Sequence, residues 1–197
     1  MNRLYLLLAW ALGLLPLFWW VWLGFTDGLT ANPAQYLTLS SGEWALAGLC
    51  LVLAATPLRR VPGLGWLMVH RRLLGLCTFF YASLHVLAWA WWEQGFGLQA
   101  MWADVLNRLF IALGLVAFVL LMPLALTSTR GWMRRLGPAW KRLHRLVYLS
   151  VALSLWHFWL VRAGKNDFAD VWVYAGLVCA ALVFRRVGQA RNRKSVG

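Results

Sequence analysis

Six long apolar stretches, separated by short polar segments, constrain this chain more than any other feature of its sequence. A helix that crosses the hydrocarbon core of a bilayer needs about 20 mostly apolar residues. The stretches use up most of the 197 residues and leave 13% of them charged. We therefore predict an all-α integral membrane protein, a single domain over 1–197 built as a six-transmembrane-helix bundle. The predicted spans are about 4–25, 43–58, 73–92, 106–126, 143–161 and 169–184.

Charged residues alternate from one side of the predicted bundle to the other. One side carries all but three of the 19 lysines and arginines: Arg3 near the N-terminus and the others in the loops 59–72 and 127–145 and in a basic tail, 185–197. Because cytoplasmic loops are enriched in lysine and arginine, we predict that both termini are cytoplasmic. An odd number of helices would break this alternation. The opposite side carries Arg108, Arg162 and Lys165 and all six acids, Asp27, Glu43, Glu93, Asp104, Asp167 and Asp170.

The same charge pattern argues against two other classes of protein. A net charge of +13 would suggest nucleic-acid binding in a soluble protein, but here the basic residues lie in loops that would contact anionic lipid. The first apolar stretch is too long for the apolar region of a signal peptide and lacks a small-residue cleavage site, so we expect it to be retained. The short loops leave no room for a soluble nucleotide-binding domain, which a partner would have to supply.

Two histidines stand out inside the apolar stretches, where ionisable groups are costly and usually functional. His85 lies about 12 residues into the third predicted helix and His157 about 14 residues into the fifth, and both helices enter from the cytoplasm. At a rise of about 1.5 Å per residue, both are roughly 20 Å deep. Two neutral imidazoles that face one another across a bundle can hold a b-type haem from both axial sides. The sequence therefore predicts haem iron bound by His85 and His157.

The other two histidines repeat this arrangement near the cytoplasmic face. His70 precedes the third predicted helix and His144 opens the fifth, so a second haem could lie about 20 Å from the first. Helical phase gives weaker support, because a spacing of 15 residues departs from one face by roughly 60° and a spacing of 13 by roughly 140°. A kink, a frayed helix start or a different inner ligand would be needed between His144 and His157. Solvated surface is the rival interpretation for both inner histidines.

Several stretches of this sequence resemble one family of membrane proteins nearly from end to end. They are Thr56-Pro57-Leu58, Arg71-Arg72-Leu73-Leu74-Gly75-Leu76 with Leu84-His85, Leu126-Thr127-Ser128-Thr129, Leu136-Gly137 with Trp140, Leu143-His144 through Val147-Tyr148-Leu149 to His157, and Tyr174-Ala175-Gly176-Leu177. The chain is similar in these stretches to the MsrQ family, formerly YedZ. These haem-binding subunits belong to the superfamily of ferric reductase-like and NADPH oxidase-like transmembrane domains.

The resemblance implies an activity that composition and spacing do not. Members of the family would sit in the bacterial inner membrane and pass electrons to MsrP, a periplasmic molybdopterin enzyme that reduces methionine sulfoxide in proteins. The quinone pool or a cytosolic flavin reductase would be the donor, with haem b and FMN as cofactors. The family's histidines fall on His85, His144 and His157, whereas His70 does not match its motif. The resemblance assigns flavin contacts to no residue.

Two alternatives stay open at the level of the sequence. One is an NADPH oxidase-like or ferric reductase-like haem protein with another acceptor, for which a flavin and nicotinamide domain would be needed. The other is a small transporter or scaffold in which the histidines bond between helices or relay protons. Copper or zinc is disfavoured, because no carboxylate or thiolate accompanies the histidines at depth.

Overall fold

The computed structural model describes residues 3–194, with side chains as far as Val187; the end of the predicted basic tail, 188–197, lies outside the described side chains. Everything described is helix, turn or connecting loop. The helices are α1 (Arg3–Phe25), α2 (Pro33–Leu58), α3 (Gly65–Ala88), α4 (Leu98–Asn107), α5 (Leu109–Leu126), α6 (Arg130–Leu136), α7 (Pro138–Leu143), α8 (Leu146–Ala163) and α9 (Ala169–Lys194), and α3 runs on into a π-helical turn, Trp89–Glu93.

Five helical segments within the described residues are long and apolar enough to cross a membrane. They are α1, α2, α3 with its π turn, α5, and α7 with α8. The predicted sixth span falls on α9, which is not among them: its apolar stretch is followed at once by Arg185 and Arg186. The prediction of an all-α protein with several membrane-spanning helices is confirmed. The sixth crossing stays a prediction.

The helices begin and end where local chemistry requires, and not at the edges of the apolar stretches. α2 starts ten residues before the predicted span, with Pro33 in its first turn and the side chain of Asn32 accepting a hydrogen bond from the Gln35 backbone N–H. Proline at the first helical position and asparagine at the cap are favoured start signals. α3 likewise begins at Gly65 instead of residue 73. Both helices therefore carry polar residues that a search for apolar stretches leaves out.

The bundle is organised as two helix pairs, α2 with α3 and α5 with α8. A shared core of buried side chains joins them. Helices in a bilayer associate through close packing and hydrogen bonds, because lipid is as apolar as the side chains themselves. Small residues at the contacts meet this requirement: Ala45, Ala82 and Ala117 are buried, and the hydroxyl of Ser150 donates to the Ala117 carbonyl from α8 to α5 at 3.0 Å.

Candidate functional site

A cavity of about 330 Å³ opens between the two helix pairs. Its size lies within the usual range for a small-molecule or cofactor site. The side chains around its middle are mostly apolar, and the two outer histidines face into it from α3 and α8. Its wall includes Leu46, Leu49, Ala82, Ile111, Phe118 and Leu121 in addition to His85 and His157.

The rings of His85 and His157 approach one another across this cavity. Their centroids are 6.0 Å apart and their planes are inclined at 77°. A metal–imidazole nitrogen bond is about 2 Å long, so the two rings lie close to the separation at which one metal ion could join them. The structure thus brings together the pair that matched depth singles out in the sequence.

Each of these histidines is oriented by a backbone carbonyl on the neighbouring helix. Nδ1 of His85 lies 2.8 Å from the Thr38 carbonyl oxygen, and Nδ1 of His157 lies 2.6 Å from the Phe110 carbonyl oxygen. A carbonyl oxygen can only accept, so each Nδ1 carries the proton and donates it. Nε2 of each neutral ring is then left with its lone pair, which is the arrangement found around metal-binding histidines.

These observations fit the iron of a haem. Two neutral imidazoles with free Nε2 lone pairs and a mostly apolar wall are the features by which His85 and His157 would hold that iron. When bound, haem supplies an iron that changes oxidation state by one electron. The chain's part is to hold the two rings at a set separation and tautomer and to enclose the site in apolar side chains.

The rim of the cavity carries charge, unlike its middle. All three cations assigned to the outer side, Arg108, Arg162 and Lys165, line it, together with Glu43 and Glu93. The charge pattern of the loops and the position of the cavity therefore agree: the site lies toward the predicted outer face.

Arg162 joins three elements at this rim. Its guanidinium lies 3.1 Å from a Glu43 carboxylate oxygen on α2 and 2.6 Å from an Asp170 oxygen on α9, and 3.7 Å from Asp167 in the connecting loop. It also lies over the Phe158 ring, 5.2 Å from the centroid. A planar fork of five donors suits such shared binding of carboxylates.

Arg108 forms a second cluster on the opposite edge of the rim. It donates to both carboxylate oxygens of Asp104, and one of them, Oδ2, also accepts from the Trp89 indole at 3.0 Å and from the Gln94 amide at 2.9 Å. The Arg108 guanidinium first, and then the Trp89 indole, hold the pKa of Asp104 below its usual value. The π turn brings Trp89 both into the wall of the cavity and onto this carboxylate, and π turns are frequent at functional sites.

His144 lies between α7 and α8 and not within one straight helix. It caps α7, and α8 begins two residues later at Leu146. His144 thus lies in a short turn before the helix that carries His157, which is the kind of frayed helix start that the helical phase of this pair requires. The His144 ring stacks on Trp140, with centroids 3.8 Å apart, and its Nδ1 lies 3.1 Å from the Trp140 carbonyl oxygen. It is half-buried, so the fully solvated alternative does not describe it.

His70 is buried in α3, about 60° around the helix from the face that His85 occupies. Its Nδ1 lies 2.9 Å from the Trp66 carbonyl oxygen in its own helix. Its Nε2 is the one buried side-chain nitrogen or oxygen without a partner among the described residues, and such atoms call for an explanation. The rings of His70 and His144 make no contact of the kind that joins His85 and His157. The structure therefore brings together the outer pair and leaves the inner histidines separate.

Sequence reasoning missed the groups that orient the outer pair. The carbonyls of Thr38 and Phe110 are invisible in a sequence, because every residue has one. The residue numbers do carry one signal that could have pointed to these groups. The same spacing of 72 residues separates His85 from His157, Thr38 from Phe110, and Gly42 from Gly114. The two helix pairs are thus an internal repeat.

The chain is similar to known proteins along most of its length. Residues 41–155 match the family described as ferric reductase like transmembrane component. Over 92% of the chain and 88% of the relative, it is 48% identical to the protein-methionine-sulfoxide reductase heme-binding subunit MsrQ of Bordetella pertussis. The subunit of the same name from Ralstonia nicotianae is 47% identical over 90% of the chain and 82% of the relative, and that from Caulobacter vibrioides 42% over 95% and 89%. No solved structure matches the chain.

Proposed function

The chain belongs to the family of MsrQ heme-binding subunits, within the ferric reductase like transmembrane components, and from this premise we propose that it carries electrons across the bacterial inner membrane. The acceptor in this proposal is the periplasmic molybdopterin reductase MsrP, which repairs methionine sulfoxide in proteins. The donor is the quinone pool or a cytosolic flavin reductase. The subunit itself transforms no substrate in this scheme.

One observation carries the proposal: the facing imidazoles of His85 and His157 in an otherwise apolar cavity. Hydrogen bonds between helices, as a scaffold would use them, account for only one nitrogen of each ring. Here the Nδ1 atoms are used by carbonyls on α2 and α5, and both Nε2 atoms remain for a metal. We infer that these two residues are the axial ligands of haem b.

A second haem near the cytoplasmic face is part of the proposal. His144 is its first candidate ligand and His70 its second. The unpartnered Nε2 of His70 supports that assignment, since a ligand there would satisfy a buried group. No ring contact joins His70 to His144 among the described residues, so this pair has less support than the outer pair. FMN is the implied alternative occupant of this half, where the basic loops could bind a phosphate by charge.

The topology also belongs to the proposal. With α9 as a sixth crossing, both termini lie in the cytoplasm and the haem cavity lies toward the periplasm. Electrons would then leave near Glu93, Asp104 and Asp170, which we propose as the contact surface for the reductase. Glu93 and Asp170 are about half exposed, whereas Asp104 is held by Arg108, so the first two are the better candidates for contact.

The test is a reduced-minus-oxidised spectrum with haem quantitation on purified wild type and on His85→Ala, His157→Ala, His144→Ala and His70→Ala. We expect the first two variants to lose the outer haem. If both kept the full Soret absorbance per folded protein, the proposal would fail. Two haems in the wild type, one of them lost in the His144 or His70 variant, would support a transmembrane path made of haems alone.

A ferric reductase-like protein with a different acceptor is the second candidate, favoured by the family that residues 41–155 match. It differs from the first in the partner and not in the site. Purified protein reduced by dithionite should transfer electrons to MsrP in a stopped-flow mixing experiment. Equal or faster oxidation by ferric citrate, with no response to MsrP, would favour the second candidate.

A further inference from the structure

The internal repeat places a glycine against the face of each outer histidine. A Cβ atom added to Gly42 on α2 would lie 3.0 Å from both Cε1 and Nδ1 of His85. A Cβ atom added to Gly114 on α5 would lie 2.9 Å from Nδ1 and 3.0 Å from Cε1 of His157. The two contacts involve the same ring atoms at nearly the same distances. In both helix pairs, therefore, the imidazole lies directly on the backbone of the neighbouring helix.

Helical geometry connects these glycines with the carbonyls that orient the rings. Thr38 precedes Gly42 by four residues, and Phe110 precedes Gly114 by four, so each carbonyl and its glycine share one face of a helix, one turn apart. A ring that lies on the glycine has its Nδ1 at the carbonyl of the preceding turn. A methyl group at the glycine would push the ring away from the helix, and the Nδ1 hydrogen bond would lengthen.

We propose that Gly42 and Gly114 are positioning residues that set the orientation, tautomer and separation of the two haem-ligating imidazoles. This inference rests on the proposed function, because it assigns to the glycines a role toward the iron ligands. It goes beyond helix packing: the three atoms nearest to the added methyl group belong to His85 at Gly42 and to His157 at Gly114.

The chain contains matched controls on α2 and α3. A methyl group at Gly48 would overlap the hydroxyl of Thr78, which tightens the same α2–α3 contact without touching a histidine. A methyl group at Gly75 on α3 would meet nothing within 4 Å. Gly48→Ala therefore reports the cost of crowding this helix pair, and Gly75→Ala reports the effect of the substitution alone.

The experiment compares Gly42→Ala, Gly114→Ala, Gly48→Ala and Gly75→Ala as full-length proteins, each fused to a fluorescent protein so that haem is counted per folded, monodisperse molecule. Haem affinity, the midpoint potential and the low-temperature electron paramagnetic resonance spectrum of the oxidised haem are measured. Losing an outer-shell partner of a metal ligand typically lowers affinity about 10- to 100-fold. We expect a loss of that size, with a changed resonance spectrum and potential, in Gly42→Ala and Gly114→Ala. Gly48→Ala should lower thermal stability and leave the spectrum and potential unchanged.

Three results would overturn the inference. Gly42→Ala and Gly114→Ala with the wild-type spectrum, potential and affinity would show that the rings do not depend on the glycines. The same spectral change in Gly48→Ala would show that crowding of the helix pair is the cause. Failure of both Gly42→Ala and Gly114→Ala to fold, with Gly48→Ala folded, would show that the two glycines serve helix packing and not the orientation of the histidines. Absence of haem from the wild type is a separate outcome that would refute the proposed function itself.

Discussion

Replacing Arg162 by glutamine should loosen the outer end of the bundle. Its side chain is 19% exposed and contacts carboxylates on α2, on α9 and in the loop between α8 and α9. A half-exposed ion pair contributes about 0.2–1 kcal/mol, and pairs that share one arginine are not additive. We therefore expect Arg162→Gln to cost about 1–2 kcal/mol, part of it from the repulsion between Glu43 and Asp170 once the guanidinium is gone.

The assay is thermal unfolding in detergent, followed by tryptophan fluorescence at low and high salt. A loss of this size corresponds to about 2–8 °C in a protein of this length. Arg162→Lys should recover part of the loss, since it keeps the charge but not the planar fork. Lys165→Gln is the matched control, because Lys165 also lies at the rim but makes none of the ion pairs found among the described residues. If Arg162→Gln lowered the unfolding temperature no more than Lys165→Gln, or if high salt left the difference unchanged, the electrostatic reasoning would be refuted.

Three further predictions concern other contacts. Ser150→Ala should cost about 0.6–1.7 kcal/mol of stability, because it removes a buried hydrogen bond between helices, whereas Thr78→Ala should cost less since that hydroxyl bonds within its own helix; chemical denaturation of both variants checks the order. Asp104 has a lowered pKa, so the stability that its carboxylate contributes is present at neutral pH and is lost as the pH falls through the usual pKa of an aspartate and below it. The unfolding temperature of Asp104→Asn should therefore decrease less on acidification than that of the wild type. Neutralising Arg134 and Arg135 should slow haem reduction by a cytosolic donor and leave reduction by dithionite unchanged in stopped-flow traces.

Much of this fold follows from the apolar composition of the long stretches in the sequence. Lipid provides no hydrogen-bond partners, so a long apolar stretch must form a helix that satisfies its own backbone. That reasoning predicts the helical membrane fold and places His85 and His157 at one depth, because depth along a helix is simply proportional to residue number. Apolar content says less about helix ends, which is why α2 and α3 begin before their apolar stretches and why α4, α6 and α7 were not expected.

Contacts between helices required the tertiary structure. Depth alone could not distinguish the outer pair of histidines from the inner pair, since both pairs match in depth along the same two predicted helices. The difference arises from rotation and breaks: α8 begins after His144, and His70 bonds to its own helix. Neither feature has a compositional signal, because a hydrogen bond to a backbone carbonyl and a break of two residues leave the apolar content of the stretch unchanged.

Sequence by itself determined that this chain is a helical membrane protein with two isolated histidines at equal depth, since burial in lipid is a property of each residue and its neighbours along the chain. Only the tertiary structure decided that their rings face one another, with centroids 6.0 Å apart. It also decided that the carbonyls of Thr38 and Phe110 orient the rings, and that Gly42 and Gly114 leave space for the rings against the neighbouring helices. These are relations between residues far apart in the chain, and they exist only once α2 packs on α3 and α5 on α8.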